Sequence, residues 1–206
     1  CVSTQMIISN ELLKLENTPI YASGADSIKR EYNGWSNVCT RVCKYLRPIC
    51  MDENGILPQC IQTVEKKKHV MKFTATRALW TLFSLLRGGV VNILEENESK
   101  DYELDDGAIE AYMGKYLIFA VLWSFGGPMK LDLRYEFGKE IIEITSLCDV
   151  GIETPNEDLP LIDYEVDIST QEWKPWSERV DNPELEPNHI KNPNVVISTI
   201  DTIRHQ

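Results

Sequence analysis

Three carboxylates at alternating positions, Asp163, Glu165 and Asp167, have the spacing in this chain that most directly suggests chemistry. Alternate residues of a β-strand point to the same side, so these carboxylates could bind a divalent cation together. A solvated outer face of a half-buried strand explains them without any ligand, and hard-cation sites are more often built from loops. We therefore predict a solvated strand face, and we keep a metal-dependent enzyme as the less favoured alternative. The apolar residues that alternate with them are Ile162, Tyr164, Val166 and Ile168.

The cysteines and histidines form no familiar catalytic or metal-binding pattern. The six cysteines, at positions 1, 39, 43, 50, 60 and 148, lack the two-residue spacing of zinc and redox motifs. Cys39 and Cys43 are one helical turn apart and could share a ligand, but buried free thiols in a reducing cytosol are the expectation. The histidines at 69, 189 and 205 are isolated, and the common phosphate-binding, zinc-protease and serine-hydrolase motifs are missing. We predict no catalytic residue, no metal site and no self-contained hydrolase.

Charge and hydropathy narrow the classes of partner. The 206 residues carry a formal net charge of −11 and are 43% hydrophobic, as expected of a folded chain that repels phosphates and anionic membranes. We predict neither a nucleic-acid nor a membrane partner. Lys66–Lys68 lies within a helical pattern and is interpreted as a solvated helix face. The longest apolar run, 116–123, is too short to span a bilayer and predicts a core helix. The first residues lack Met and a signal peptide, which suggests an excised piece.

Helical periodicity dominates to about residue 148, and extended patterns follow. Pro48 and the pair Gly88-Gly89 are interpreted as helix stops, and the acidic segment 93–107 as a surface loop. The predicted fold class is mainly α: a helical bundle around a central hydrophobic helix, followed by a short β/extended connector. Predicted helices cover 3–15, 35–46, 55 to the late sixties, 74–88, 108–125 and 131–147; a strand covers 162–168, and 195–205 begins as a strand and ends as a helix.

Five segments of the chain carry a family resemblance when taken together and in order. They are STQMI near the start, HVM with TRALWTLFSLL at 69–86, YLIFAVLWSFGG at 116–127, IDYEV with W-x-P-W at 162–176, and VVISTIDTIRH at 195–205. In combination they resemble the cytoplasmic dynein heavy chain family, and they match the C-terminal half of its second AAA+ module and the connector into the third. The resemblance covers nearly the whole chain, is weakest over 21–45 and 93–107, and suggests a fungal or otherwise divergent source.

The resemblance implies a domain organisation. Residues 1–20 would end an AAA+ large subdomain, 21–150 would form the helical small (lid) subdomain, and 151–206 would be the connector into the next AAA+ module. The phosphate-binding Walker motifs would lie outside this chain. The fragment should then be inactive and monomeric alone, whereas the intact parent would bind ATP or ADP with Mg.

The resemblance also implies nucleotide-facing residues. Arg77, near the start of a lid helix, would be the sensor II cation that reaches the phosphates. A first-turn arginine paired with a neighbouring acid is the structural alternative. The backbone of the segment Val195, Val196, Ile197, Ser198 and Thr199 would line the adenine pocket of the following module.

The implied parent is a minus-end-directed microtubule motor ATPase of the cytoplasm and cytoskeleton, with a coiled coil. Its partners would be neighbouring AAA+ modules, microtubules, dynein intermediate and light chains, and dynactin. Within this chain, Trp173 and Trp176 flank Pro175 and would pin the connector against the lid, so that motion of one module passes to the next. The alternative is a freestanding acidic helical protein-interaction module without catalysis.

Overall fold

The computed structural model describes residues 3–22, 30–156, 158–180 and 199–205, and these residues are mostly helical. The mainly α fold class predicted from the sequence is therefore confirmed. Leu161–Asp163 forms a 3-10 turn. The helices are α1 Thr4–Asn17, α2 Trp35–Met51, α3 Ile56–Glu65, α4 Ala75–Lys100, α5 Asp106–Gly126, α6 Leu131–Cys148, α7 Trp176–Arg179 and α8 Ile200–His205. The strands are β1 Tyr21–Ala22, β2 Arg30–Glu31, β3 Tyr164–Val166 and β4 Trp173–Pro175.

Helix α5 is the centre of the hydrophobic core. It packs against α2, α3, α4 and α6 and against β3, so most of its surface is covered. Its large side chains Tyr112 and Phe125 are fully buried. An all-round apolar helix needs such cover on every side, and the predicted central hydrophobic helix is confirmed.

Both α4 and α5 are long and apolar enough to cross a membrane by length and composition. The share of the apolar window that is buried inside the protein is 50% for α4 and 67% for α5. Because buried core helices pass the same test, this is weak evidence for a membrane span.

The prediction that α4 stops at Gly88-Gly89 is wrong. The helix continues to Lys100 and ends at Asp101, whose φ of 57° is left-handed. A Cβ at Gly89 would lie 2.8 Å from Cδ1 of Tyr116, so the glycine lets α4 approach α5 closely. The predicted loop over 93–107 is wrong for the same reason, because its first eight residues continue this helix with Ile93 and Leu94 buried.

Two further boundaries differ from the prediction. Pro48 does not stop α2, which runs on to Met51. The proline loses its own helical N–H bond, and burial of Ile49 and Cys50 in the core offsets that loss. The lysine run lies after α3, which ends at Glu65, and is not a helix face. Lys67 is mostly buried, and its Nζ lies 3.0 Å from Glu140 and 3.7 Å from Glu136 on α6.

Strands β3 and β4 form an antiparallel hairpin that pairs Tyr164 with Pro175 and Val166 with Trp173. The strand predicted over 162–168 is therefore confirmed for three residues only. Asp163, in the preceding 3-10 turn, is buried at 4% exposure and does not lie on a solvated face. The hairpin packs on α5 through β3, which places the segment after the bundle directly against the core.

Candidate functional site

Arg77 lies in the first turn of α4 and is exposed. Its Nη2 donates to the carbonyl of Lys72 at 2.9 Å, and no ion pair of Arg77 occurs among the described residues. The structural alternative, pairing with a neighbouring acid, is therefore wrong for this part of the chain. The guanidinium borders a surface pocket of about 290 Å³, which Phe73 and Trp123 also line. Arg77 is thus a solvent-facing cation beside an aromatic pocket.

Large apolar side chains are exposed near Arg77. Val70 and Met71, in the loop before α4, are 69% and 60% exposed, and Trp80, three residues after Arg77, is 57% exposed. Exposed apolar groups gathered in one region commonly mark a surface that another domain covers. The surface formed by Val70, Met71 and Trp80 near Arg77 therefore has the composition of a contact surface.

The carboxylate row is used for ion pairing. Asp163 binds Arg204, Glu165 lies 2.6 Å from Arg179, and Asp167 accepts a short hydrogen bond from Lys174. Burial alone would raise the pKa of Asp167, but hydrogen bonds from Lys174, the Ser169 N–H and the Thr170 hydroxyl outweigh it and hold the pKa below its usual value.

No group of three or more His, Cys, Asp or Glu residues within the described ranges could hold a metal ion. Cys39 and Cys43 are buried, and burial raises the pKa of their thiols to about 11 and about 12. Thiols with such pKa values stay protonated near neutral pH, which disfavours both metal ligation and nucleophilic attack.

A buried lysine fastens the hairpin to the core helix. Lys115 of α5 is 4% exposed, and its Nζ donates to the Gln171 carbonyl at 2.8 Å and to Glu172 at 2.9 Å. Glu153, in the segment after α6, lies 3.1 Å from the same nitrogen. A buried ammonium requires such partners, because an unpaired charge in the core is costly. Lys115 therefore connects three parts of the chain. A lysine inside an apolar helix is the one signal by which sequence reasoning could have found it.

The two tryptophans of the connector make different contacts. The indole N–H of Trp173 donates to the Glu153 carbonyl at 2.9 Å, and its ring meets Tyr164 edge-on with centroids 6.4 Å apart. The Trp176 ring lies 6.4 Å from that of Phe119 on α5. Both residues are half-buried. The predicted pinning of the connector by these tryptophans thus has matching contacts.

Helix α8 is held to the bundle by arginines. Arg204 donates two hydrogen bonds of 2.7 Å to the two carboxylate oxygens of Asp163. Arg134 of α6 donates to the Arg204 carbonyl at 3.1 Å. Val195, Val196, Ile197 and Ser198 lie outside the described residues, so their predicted adenine contact stays a prediction. Thr199 directly precedes α8: its carbonyl accepts the Ile203 N–H at 3.1 Å, and its hydroxyl accepts the Thr202 N–H at 3.3 Å.

A surface groove of about 730 Å³ lies between α4, α5 and the hairpin. Its floor is aromatic, with Tyr112, Tyr116 and Phe119, but five carboxylates and two cations line it. A nucleotide phosphate would meet this surplus of negative charge unfavourably. The groove therefore does not replace the missing phosphate loop.

The family model of the dynein heavy chain AAA lid domain matches residues 50–178, more than half of the chain. The match runs from the end of α2 through the hairpin.

This chain belongs to the dynein heavy chain AAA lid family.

Curated relatives agree with this assignment. The cytoplasmic dynein heavy chain of Fusarium vanettenii is 33% identical over 208 residues, covering 100% of this chain and 5% of the relative. That of Drosophila melanogaster is 31% identical over 215 residues (100% and 4%), and that of Dictyostelium discoideum is 30% identical over 165 residues (80% and 3%). The chain thus spans about one twentieth of the relatives it matches. Because the fungal and insect identities are nearly equal, the divergent fungal source stays a prediction.

Membership in the dynein lid family confirms the resemblance of the sequence. It favours a motor segment over the freestanding interaction module and the metal-dependent enzyme. The predicted boundaries at residues 20 and 150, and the assignment to the second AAA+ module, stay predictions.

Proposed function

We propose that this dynein lid closes over a nucleotide held by neighbouring parts of an AAA+ ring, and that its connector passes the lid's movement along the chain. The observation that carries the proposal is the attachment of the connector. The hairpin after the bundle contacts the central helix through the buried Lys115, and Trp176 next to it lies against Phe119 of the same helix, which supports joint movement of hairpin and lid. A slack linker would lose the movement, whereas a fixed hairpin transmits it.

The proposed parent is a cytoplasmic dynein heavy chain, a minus-end-directed microtubule motor of the cytoplasm and cytoskeleton that hydrolyses ATP. The names of the relatives support this, since they are cytoplasmic dynein heavy chains. Its partners would be adjoining AAA+ modules, microtubules, dynein intermediate and light chains, and dynactin. A coiled coil would lie elsewhere in the parent.

ATP or ADP with Mg is proposed as the ligand of the parent. The described residues fit such a ligand at one point, where exposed Arg77 has spare guanidinium donors beside an aromatic pocket. Arg77 would donate to a terminal phosphate whose remaining contacts come from other parts of the ring, because a planar guanidinium suits phosphate oxygens. The exposed Val70, Met71 and Trp80 would be covered by the adjoining module.

A complete dynein heavy chain carrying this segment tests the coupling. We expect Trp173→Ala with Trp176→Ala to keep microtubule-stimulated ATP turnover within about twofold of wild type. Gliding velocity should fall at least severalfold, because the connector would slacken while the phosphate-binding residues are untouched. The matched control is Tyr21→Ala, which removes an aromatic ring that is 46% exposed and lies on β1, the strand that pairs with β2. Normal velocity at normal turnover in the double variant would overturn the coupling role.

A further inference from the structure

Helix α8 depends on a few polar contacts for its position. It has six residues, and a helix so short is unstable without external contacts. Its contacts with the described part of the bundle include the 3-10 turn Leu161–Asp163 and Arg134 of α6. These contacts therefore help to hold α8 against the bundle.

The strongest of these contacts is a two-point ion pair. Arg204 Nε donates to Asp163 Oδ1 and Arg204 Nη2 donates to Oδ2, each at 2.7 Å. The hydrogen bond to Asp163 raises the pKa of Arg204 further above its usual value, so the guanidinium is charged near neutral pH. Asp163 is 4% exposed, and a carboxylate so deeply buried is costly without a charged partner. Releasing α8 would leave that carboxylate uncompensated.

A second arginine, Arg134, donates a hydrogen bond to the backbone of α8. Arg134 Nη1 donates to the Arg204 carbonyl at 3.1 Å, while its Nε donates to the Gly126 carbonyl at 3.1 Å and its Nη2 to the Gly127 carbonyl at 3.3 Å. One guanidinium therefore connects the end of α5 to α8. Burial lowers the pKa of Arg134, which is consistent with its place between the two elements.

We propose that Asp163, Arg204 and Arg134 form a joint that fixes the orientation of α8 relative to the lid. A planar guanidinium held at two points resists rotation as well as translation, which a single contact would allow. The three are positioning residues, which act by holding α8 against the lid. That they transmit lid movement rests on the function proposed above, whereas the joint itself does not.

Millisecond hydrogen exchange of residues 199–205, followed by mass spectrometry on this chain, tests the joint. We expect Arg204→Lys, which keeps the charge but loses the two-point geometry, to raise exchange in α8 severalfold. Asp163→Leu with Arg204→Met, which replaces both charged partners by apolar side chains and leaves no buried carboxylate unpaired, should raise it about tenfold or more. Arg179→Ala is the matched control, because it breaks an exposed ion pair to Glu165 on the hairpin and does not touch α8.

The melting temperature distinguishes a joint that orients α8 from an ion pair that stabilises the whole fold. The double variant should melt close to wild type, since removing both partners of a buried ion pair is often nearly neutral. Fast exchange in α8 with an unchanged melting temperature supports the joint. Unchanged α8 exchange in the double variant overturns it, and so does accelerated exchange throughout the bundle.

The complete motor then tests transmission. In the double variant we expect ATP turnover near wild type and gliding velocity reduced at least severalfold. Normal velocity with a loosened α8 would overturn transmission through this joint. If the joint variant moves normally while the Trp173 and Trp176 variant loses velocity, coupling through the connector survives and the joint is not its route.

Discussion

Gly88 and Gly89 form a matched pair of sites inside α4, and substituting alanine at each should give opposite results. A Cβ at Gly88 would meet only Tyr116 Oη, at the ordinary contact distance of 3.7 Å. A Cβ at Gly89 would lie 2.8 and 2.9 Å from Tyr116 Cδ1 and Cε1, and 3.3 Å from Met113 Sδ. The two substitutions therefore share their effect on the helix and differ in packing against α5.

The magnitudes follow from these distances. Alanine stabilises a helix interior over glycine by about 0.5–1 kcal/mol, and Gly88→Ala should gain this amount. Gly89→Ala gains the same but must displace Tyr116, whose ring packs against Tyr112 and Phe119 with centroids 5.3 Å away in each case. Forcing extra volume into packed side chains costs about 1–3 kcal/mol. Gly89→Ala should therefore be less stable than Gly88→Ala by about 1–3 kcal/mol.

Urea unfolding followed by tryptophan fluorescence measures both variants against wild type. Each kcal/mol corresponds to about 2–4 °C in melting temperature for a domain of this size, so thermal melting gives an independent check. If both alanines stabilise equally, the close approach of α4 and α5 at Gly89 is refuted. If both destabilise equally, α4 does not continue through the glycine pair.

Two further predictions concern the hairpin. Lys115→Met should change the free energy of unfolding by less than about 1 kcal/mol, because Glu153 and Glu172 are 78% and 63% exposed and regain water. Glu153→Gln with Glu172→Gln leaves the ammonium buried without a charged partner and should lower the free energy of unfolding by about 1–3 kcal/mol. Urea unfolding measures both variants, and equal losses would contradict this reasoning. Asp167→Asn should lower the melting temperature between pH 5 and 7, because the folded-state pKa of Asp167 lies below the ordinary 3.8. The stability contributed by the ionised carboxylate is present above pH 3.8 and is lost as pH falls through the folded-state pKa, so the difference in melting temperature between variant and wild type should shrink in acid. A difference that grows in acid would refute the role of Lys174.

The central helix and the mainly α fold could be predicted because they rest on local patterns. The apolar run of α5 predicts a core helix whichever partners surround it. Gly88-Gly89 misled the prediction because a glycine pair signals a helix end locally, whereas here it provides space for Tyr116, which is 27 residues away in sequence. Close packing between distant segments leaves no signal in a single local window.

The joint of Asp163, Arg204 and Arg134 could not be predicted from the sequence, because its residues are far apart along the chain. Alternation at 162–168 suggested that Asp163 faces solvent, but its partner Arg204 is 41 residues further along the chain. Asp163 is buried because that cation arrives from α8, and nothing within the strand pattern indicates it. Arg77 could be singled out by its place near the start of a lid helix, whereas Lys115 and Arg134 act through partners that only the fold brings near.

Calorimetric titration of ATP with Mg tests the central claim most directly, by comparing this chain with a longer dynein chain that adds the adjoining AAA+ modules. The account predicts no measurable binding to this chain even at millimolar nucleotide. It predicts clear binding to the longer chain, weakened about 10- to 150-fold by Arg77→Ala, since a charge-assisted hydrogen bond contributes about 1.5–3 kcal/mol. Binding should be unchanged by the exposed control Lys139→Ala. Magnesium-dependent binding to this chain alone, or Arg77→Ala binding as tightly as wild type in the longer chain, would contradict the proposal that this lid acts on a nucleotide held by its neighbours.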